Sequence, residues 1–211
     1  MGRCASMYDG MMTNSSQLGR LAMKYFWQLT DEKYEAFINQ AFAGLPDRFE
    51  GRLLEIPVGT GVLSLPIFGR LKAARIVCAD FSAEMLEAAR GNAKGMSNVE
   101  FVQCDVGAMP FDDESFDHVL SINGFHAFAD KDAAYSETRR VLREGGTFSG
   151  CMYVKGLNER TDFFVEKFCE RQGFFTPPYD TLTTLVERLK GMYSDVEISH
   201  VEAFAGFVCR K

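Results

Sequence analysis

Apolar and polar positions follow two rhythms along this chain, and the change comes at Arg52. Before it, apolar residues recur at helical spacing. Leu21 to Gln28 reads as one helix. Thr30 reads as the N-cap of a second, with Asp31 and Glu32 in the first turn, where carboxylates meet the positive end of the helix dipole. Tyr34, Phe37, Ile38, Ala41 and Phe42 form its apolar stripe, and Gly44 and Pro46 end it. The first 20 residues are polar and rich in methionine.

From Arg52 short apolar runs alternate with helical stretches. Strands are expected over 52–56, 75–79, 99–103, 116–122 and 147–153. Helices are expected over 61–71, from the Ser82 cap to about Lys94, and over 131–143, closed by Gly145-Gly146. Pro66 lies inside the first of these and should kink or shorten it. Loops hold Met109-Pro110-Phe111 and the stretch from Asn123 to Asp130. Strand and helix in repeated succession indicate an open parallel sheet with helices on both faces. Later, 162–171 reads as a helix with Phe164, Val165 and Phe168 on one side, stopped at Gly173. Pro177-Pro178 breaks the chain. Thr181 caps a last helix whose inner face carries Leu182, Leu185, Val186 and Leu189. The runs 196–201 and 206–209 read as an antiparallel pair at the sheet edge.

Composition narrows the partners. At 211 residues, 19 of them Phe, the chain fits one domain with a substantial core. The net charge is −6 and Lys and Arg are scattered, which argues against nucleic acid as the substrate. No apolar run approaches the roughly 18 residues of a membrane span. Met1 to Gly10 has no apolar centre, so no secretory signal is read there. Cys4, Cys78, Cys104, Cys151, Cys169 and Cys209 form no C-x-x-C pair. They read as reduced thiols of a cytoplasmic protein, and no metal site is expected. Met1-Gly2-Arg3-Cys4-Ala5-Ser6 fits an N-myristoylation pattern, a short motif that chance often produces.

The stretch richest in chemistry is Leu53-Leu54-Glu55-Ile56-Pro57-Val58-Gly59-Thr60-Gly61. A strand ends in an acid, then a glycine turn lets backbone approach a ligand with no Cβ in the way. Ligands of open parallel sheets bind beyond the carboxyl ends of the strands, where strand order reverses. At those ends stand Glu55, Asp80, Asp105 and Asn123. Three carboxylates suit a cofactor rich in hydroxyl and amino groups and would repel a bare phosphate. Asp80 has the spacing of the ribose-binding acid of a dinucleotide site, but the third glycine of G-x-G-x-x-G is absent, and there is no G-K-[ST].

Over about residues 50–155 the chain resembles the class I S-adenosylmethionine-dependent methyltransferases, small-molecule type, similar to those of ubiquinone and menaquinone biosynthesis. The resemblance rests on an ordered set: E-I-P-V-G-T-G, then Asp80-Phe81-Ser82, Cys104-Asp105-Val106, Met109-Pro110-Phe111 with Phe116-Asp117, Gly124-Phe125-His126, and Val141-Leu142-Arg143-Glu144-Gly145-Gly146. It implies a Rossmann-like, mostly parallel seven-stranded sheet with an antiparallel C-terminal pair, in a single domain over 1–211. Within it, 1–44 forms a helical cap, 50–155 the cofactor core, 156–180 a cap insertion, and 181–211 the last helix and edge strands. It implies S-adenosylmethionine as cofactor, with Glu55 near its methionine end and Pro57, Gly59, Thr60 and Gly61 in the turn. Asp80 would take the ribose hydroxyls, Phe81 and Val106 the adenine faces, Asp105 the adenine amino group, and Asn123 the methionine side. Pro57 departs from the family, standing where its acid-x-G-x-G-x-G turn has the first glycine.

Each of these residues also has a plainer reading. Asp80 and Asp105 can cap the turns after their strands, Glu55 can be a turn acceptor, and Asn123-Gly124 is a turn dipeptide. Phe81 and Val106 can be core. His126 is the candidate general base, or else a residue of the helix entry. There is no N/D-P-P-Y signature after the fourth strand, which argues against amino methylation of nucleobases by that route. The expected partner is a small-molecule acceptor, with no nucleic acid, no membrane span and room for a homodimer. Phe26, Trp27, Phe164 and Phe168, in two segments far apart in sequence, are expected to roof the cofactor with a mostly apolar chamber. The competing readings are a non-catalytic cofactor-binding protein of regulatory or assembly function, and an NAD(P)-dependent oxidoreductase, which the missing glycine and Asp105 disfavour.

Overall fold

The computed structural model describes residues 17–211. The myristoylation pattern and Cys4 lie outside the described residues. Seven strands are described: β1 (Arg52–Glu55), β2 (Arg75–Asp80), β3 (Val99–Gln103), β4 (Phe116–Ile122), β5 (Leu142–Tyr153), β6 (Asp195–Val201) and β7 (Phe204–Arg210). They form one sheet in the order β3-β2-β1-β4-β5-β7-β6. Strands β3, β2, β1, β4 and β5 pair in parallel, while β7 runs antiparallel to both β5 and β6. The fold is therefore the α/β, Rossmann-like, mostly parallel sheet with an antiparallel C-terminal pair that the sequence predicts. Strand order reverses between β1 and β4, so the crevice for a ligand lies beyond the carboxyl ends of these two strands.

The central strands of the sheet are largely buried on both faces, which is why they read as apolar runs. Leu53, Ile76, Cys78, Leu120 and Tyr153 face one core, with Trp27, Phe37, Phe68 and Leu86 over them. Leu54, Val77, Ala79, Val119 and Phe148 face the other, with Phe125, Tyr135, Leu185 and Leu189 over them. Helices α1 (Gln17–Phe26), α2 (Asp31–Ala41), α3 (Leu65–Phe68) and α4 (Ala83–Asn92) supply the first cover. Helices α5 (Lys131–Val141) and α7 (Leu182–Met192) supply the second. The expected caps form: Thr30 accepts from the Lys33 N–H, Ser82 from Met85, and Thr181 closes a capping box with Thr184.

Three elements differ from expectation. The helix expected over 61–71 shrinks to α3, four residues long, because Pro66 can begin a helix but not sit within one, and Gly61 ahead of it has φ +68°. Helix α5 stops at Val141, and β5 starts at once at Leu142, running through Gly145 and Gly146. The helix expected over 162–171 is α6 (Glu159–Phe164) continued as one π-helical stretch, Val165–Cys169, with Asn158 capping α6 through the Thr161 N–H.

Candidate cofactor site at the strand switch

The chain leaving β1 stays clamped between its neighbours. The Ile56 N–H donates to the Leu120 carbonyl at 3.0 Å, and the Val58 N–H to the Ala79 carbonyl at 2.8 Å. A turn with positive φ at Gly59 (56°) and Gly61 (68°) follows, a conformation that favours glycine. The Gly61 N–H closes it on the Val58 carbonyl at 2.9 Å. Asp80, at the tip of β2, fastens it: Oδ2 accepts from the Gly59 N–H at 2.8 Å and Oδ1 from the Ser82 N–H at 2.9 Å. Asn92 of α4 donates to the Thr60 carbonyl at 3.0 Å. The bland reading of Asp80 as a cap is thus true, and it does not compete with a ligand. The Phe81 backbone N–H also hydrogen-bonds the carboxylate, and its roughly four lone-pair sites leave room for a further donor.

Beside Asp80, the Phe81 ring stands 74% exposed at a strand end, free to stack on a flat ligand. Asp105 follows β3, which pairs with β2 in the register Asp80↔Gln103, so the two acids lie on adjacent strand tips. Asp105 is exposed, and its Oδ1 accepts from the Gly107 N–H at 2.8 Å, holding the next turn. Val106 is buried beside Met109 in the core. The loop beyond is pinned by Arg140 of α5, which donates to the carbonyls of Met109 and Phe111 at 3.1 and 2.8 Å. Across the crevice, Asn123 has φ +56°, and its Oδ1 accepts from the Cys151 thiol at 3.8 Å. A Cβ on Gly124 would lie 2.3 Å from Pro57 Cδ, so the loops after β1 and β4 touch there. The structure therefore brings Pro57, Gly59, Thr60, Gly61, Asp80, Phe81, Asp105 and Asn123 to one edge of the sheet, with Val106 behind them.

Glu55 lies beneath that edge. It is 2% exposed, with Oε2 accepting from Ser64 Oγ at 2.7 Å and facing the Cys78 thiol at 4.0 Å. Burial pushes its pKa up to about 8; the Ser64 bond opposes this and the Asp80 charge adds to it. Burial also raises the Asp80 pKa, against the pull of its backbone donors. The Ser64 partner, nine residues from Glu55, carries no sequence signal of its own.

His126 requires a correction. It is 5% exposed, its Nδ1 accepts from the Tyr153 N–H at 3.1 Å, and its ring stacks on Phe175 at 4.0 Å. The lone pair a base would use is engaged, and burial, with Lys131 nearby, lowers its pKa to about 3. His126 joins the loop after β4 to β5 and the cap. His118, expected as structural, bonds Ser149 Oγ at 2.8 Å inside the sheet.

The two cap segments meet each other. Phe26 stacks on Phe164 at 4.1 Å, Thr161 Oγ1 donates to the Phe26 carbonyl at 2.8 Å, and Gln28 donates to Asn158 at 2.9 Å. Trp27 is buried against Phe164, Phe175 and Phe204, whereas Phe168 is 41% exposed. Thr176 and Lys131 tie the cap to the loop after β4, through the carbonyls of Ala127 and Phe128.

Over the stretch that carries the glycine turn and the strand-end acids, the chain is similar to known methyltransferases. Residues 53–146 match the family described as "Methyltransferase domain". The demethylmenaquinone methyltransferase of Thermus thermophilus is 42% identical over 96 residues, 45% of this chain and 44% of that protein. The ubiquinone/menaquinone biosynthesis C-methyltransferase UbiE of Hahella chejuensis is 41% identical over 111 residues, 50% of this chain and 44% of that protein. The chain thus matches less than half the length of these relatives. A solved SAM-dependent methyltransferase from Thermotoga maritima shares the fold, with a TM-score of 0.67, 19% identity, and coverage of 97% of this chain and 99% of that one.

Proposed function

We propose that this protein transfers a methyl group from S-adenosylmethionine to a small, partly apolar acceptor, in the cytoplasm. The observation that carries the reading is the gathering of the glycine turn, Asp80, Phe81, Asp105 and Asn123 at the switch point of the sheet. The donor set suits the cofactor. Asp80 keeps acceptor capacity for a ribose hydroxyl, Phe81 and Val106 cover the adenine, and Asp105 has a carboxylate oxygen for its amino group. Gly59, Thr60, Gly61 and Pro57 let backbone approach, Asn123 lines the methionine side, and Glu55 supports the turn from beneath through Ser64.

When bound, the sulfonium supplies a methyl already activated for displacement. The protein's part is to orient the acceptor and exclude water. The aromatic cap of Phe26, Trp27, Phe164 and Phe168 favours an apolar acceptor over a protein or nucleic acid. With His126 engaged internally, an acceptor that needs no strong base fits best, such as an electron-rich ring carbon or an enolate. That agrees with the carbon methylation named for the UbiE relative.

The test is incubation with S-adenosylmethionine and hydroxylated aromatic or quinol acceptors, read as S-adenosylhomocysteine formed. Acceptor-dependent turnover is the expected result; tight cofactor binding without turnover on any acceptor would contradict it. The second reading, a non-catalytic cofactor-binding regulator, draws its support from His126 and predicts that contrary outcome.

A further inference from the structure

The loop after β4 is stitched to the cap at a single seam. Three consecutive carbonyls of the loop are taken in turn. That of His126 accepts from the Thr176 N–H at 3.0 Å, that of Ala127 from Thr176 Oγ1 at 2.9 Å, and that of Phe128 from Lys131 Nζ at 3.0 Å. Lys131 reaches back across the seam and donates to the Thr176 carbonyl as well, at 2.6 Å. Beside these bonds the His126 ring stacks on Phe175. The same loop begins at Asn123, and its Gly124 meets Pro57 of the turn after β1. The seam is therefore one loop away from the crevice.

Lys131 is a costly residue in this place. It is 9% exposed and opens α5, so burial and the positive end of the helix dipole both act against its charge. The Asp180 carboxylate acts in its favour, but Asp180 Oδ1 accepts from Thr184 Oγ1 at 2.9 Å, and Oδ2 makes no hydrogen bond among the described residues. The ammonium is held instead by two neutral carbonyls, one on each side of the seam, with the Tyr179 ring of the cap 6.0 Å away. An apolar side chain of similar length would fill the space without these penalties. It could not join the two carbonyls.

We propose that Lys131 is a positioning residue, whose ammonium locks the Phe175-Thr176 stretch of the cap onto the loop after β4 and so fixes the acceptor side of the crevice. The acceptor side rests on the methyl-transfer reading above; the lock is tested without it. Loosening the lock weakens the hold on the acceptor. The cofactor is spared, because Asp80, Phe81 and Asp105 stand at the tips of β2 and β3, on the other side of β1.

The test compares Lys131→Met with Lys131→Arg, which keeps a charge and N–H donors. Hydrogen exchange at the Thr176 and Ala127 amides should quicken at least about tenfold in Lys131→Met and stay near wild type in Lys131→Arg. With a quinol or hydroxylated aromatic acceptor, KM should rise at least about tenfold in Lys131→Met, while the Kd for S-adenosylhomocysteine stays within about twofold of wild type. Lys131→Arg should bring KM back. Thr176→Val, which removes only the hydroxyl bond, carries the same comparison should Lys131→Met unfold. Folded Lys131→Met with wild-type exchange and KM would overturn the proposal, because the residue would then only fill space. So would a loss in Lys131→Arg as large as that in Lys131→Met, or a cofactor Kd weakened as much as KM. Wild-type protein that turns over no acceptor would count against the methyl-transfer reading, and the exchange measurement would still decide the lock.

Discussion

Asp80 has two jobs in one carboxylate. It fastens the glycine turn and the start of α4 through the backbone N–H groups of Gly59, Phe81 and Ser82, and it keeps acceptor capacity for a ligand. Asp80→Ala should therefore lose stability by about 1–3 kcal/mol, the cost of unpairing buried donors, as well as weakening cofactor binding. A denaturant melt checks the first effect; an unchanged midpoint would mean that the turn holds without the acid. Glu55 makes a different prediction. Its folded pKa of about 8 lies above the ordinary 4.5, so the folded chain keeps a proton that the unfolded chain has lost between those values. Its contribution is whole below about pH 4.5 and is lost as pH rises toward 8. Glu55→Gln should remove that fall, so the stability difference between variant and wild type should grow from pH 5 to pH 8 by on the order of a few kcal/mol. A difference that stays constant with pH would mean that Glu55 titrates as in water. The sequence makes both acids visible as strand-end carboxylates. It does not show that Glu55 is buried, since only folding brings Ser64 and Cys78 onto it. Nor does it show that Tyr153 and Phe175 close on His126.

At the scale of elements, the central parallel strands β1, β2, β4 and β5 were legible because they are largely buried on both faces and so read as apolar runs. The helix after β1 was not, because Val62, Leu63, Leu65 and Phe68 mimic a helical stripe while Gly61 and Pro66 forbid one. The junction of β4 and β5 is tight. A Cβ on Gly150 would lie 1.8 Å from the Ser121 carbonyl oxygen, and that neighbour is backbone. Gly150→Ala should cost at least about 3 kcal/mol or prevent folding, and an expression and melting comparison decides it. Wild-type stability would show that the strands can spread. The two cap segments are tied to each other by the Phe26–Phe164 stack and the Thr161 bond. Phe164→Ala should speed hydrogen exchange across α1 and α6 and leave β1, β2 and β4 unchanged. Faster exchange throughout would make the cap part of the common core.

For the whole molecule, the sheet order sets the crevice beyond β1 and β4, and the two Phe-rich segments pack on each other. The segments belong to one cap, a pairing that sequence distance hides and that the contact between Phe26 and Phe164 establishes. None of the described helices is long and apolar enough to cross a membrane. The account stands on one claim, that the switch-point crevice holds S-adenosylmethionine. Calorimetric titration of the purified chain tests it most directly. The account predicts saturable binding of S-adenosylmethionine and S-adenosylhomocysteine at micromolar Kd or better, weakened by about 1.5–3 kcal/mol in Asp80→Ala. Folded wild-type protein that gives no heat and no competition at millimolar ligand would contradict it.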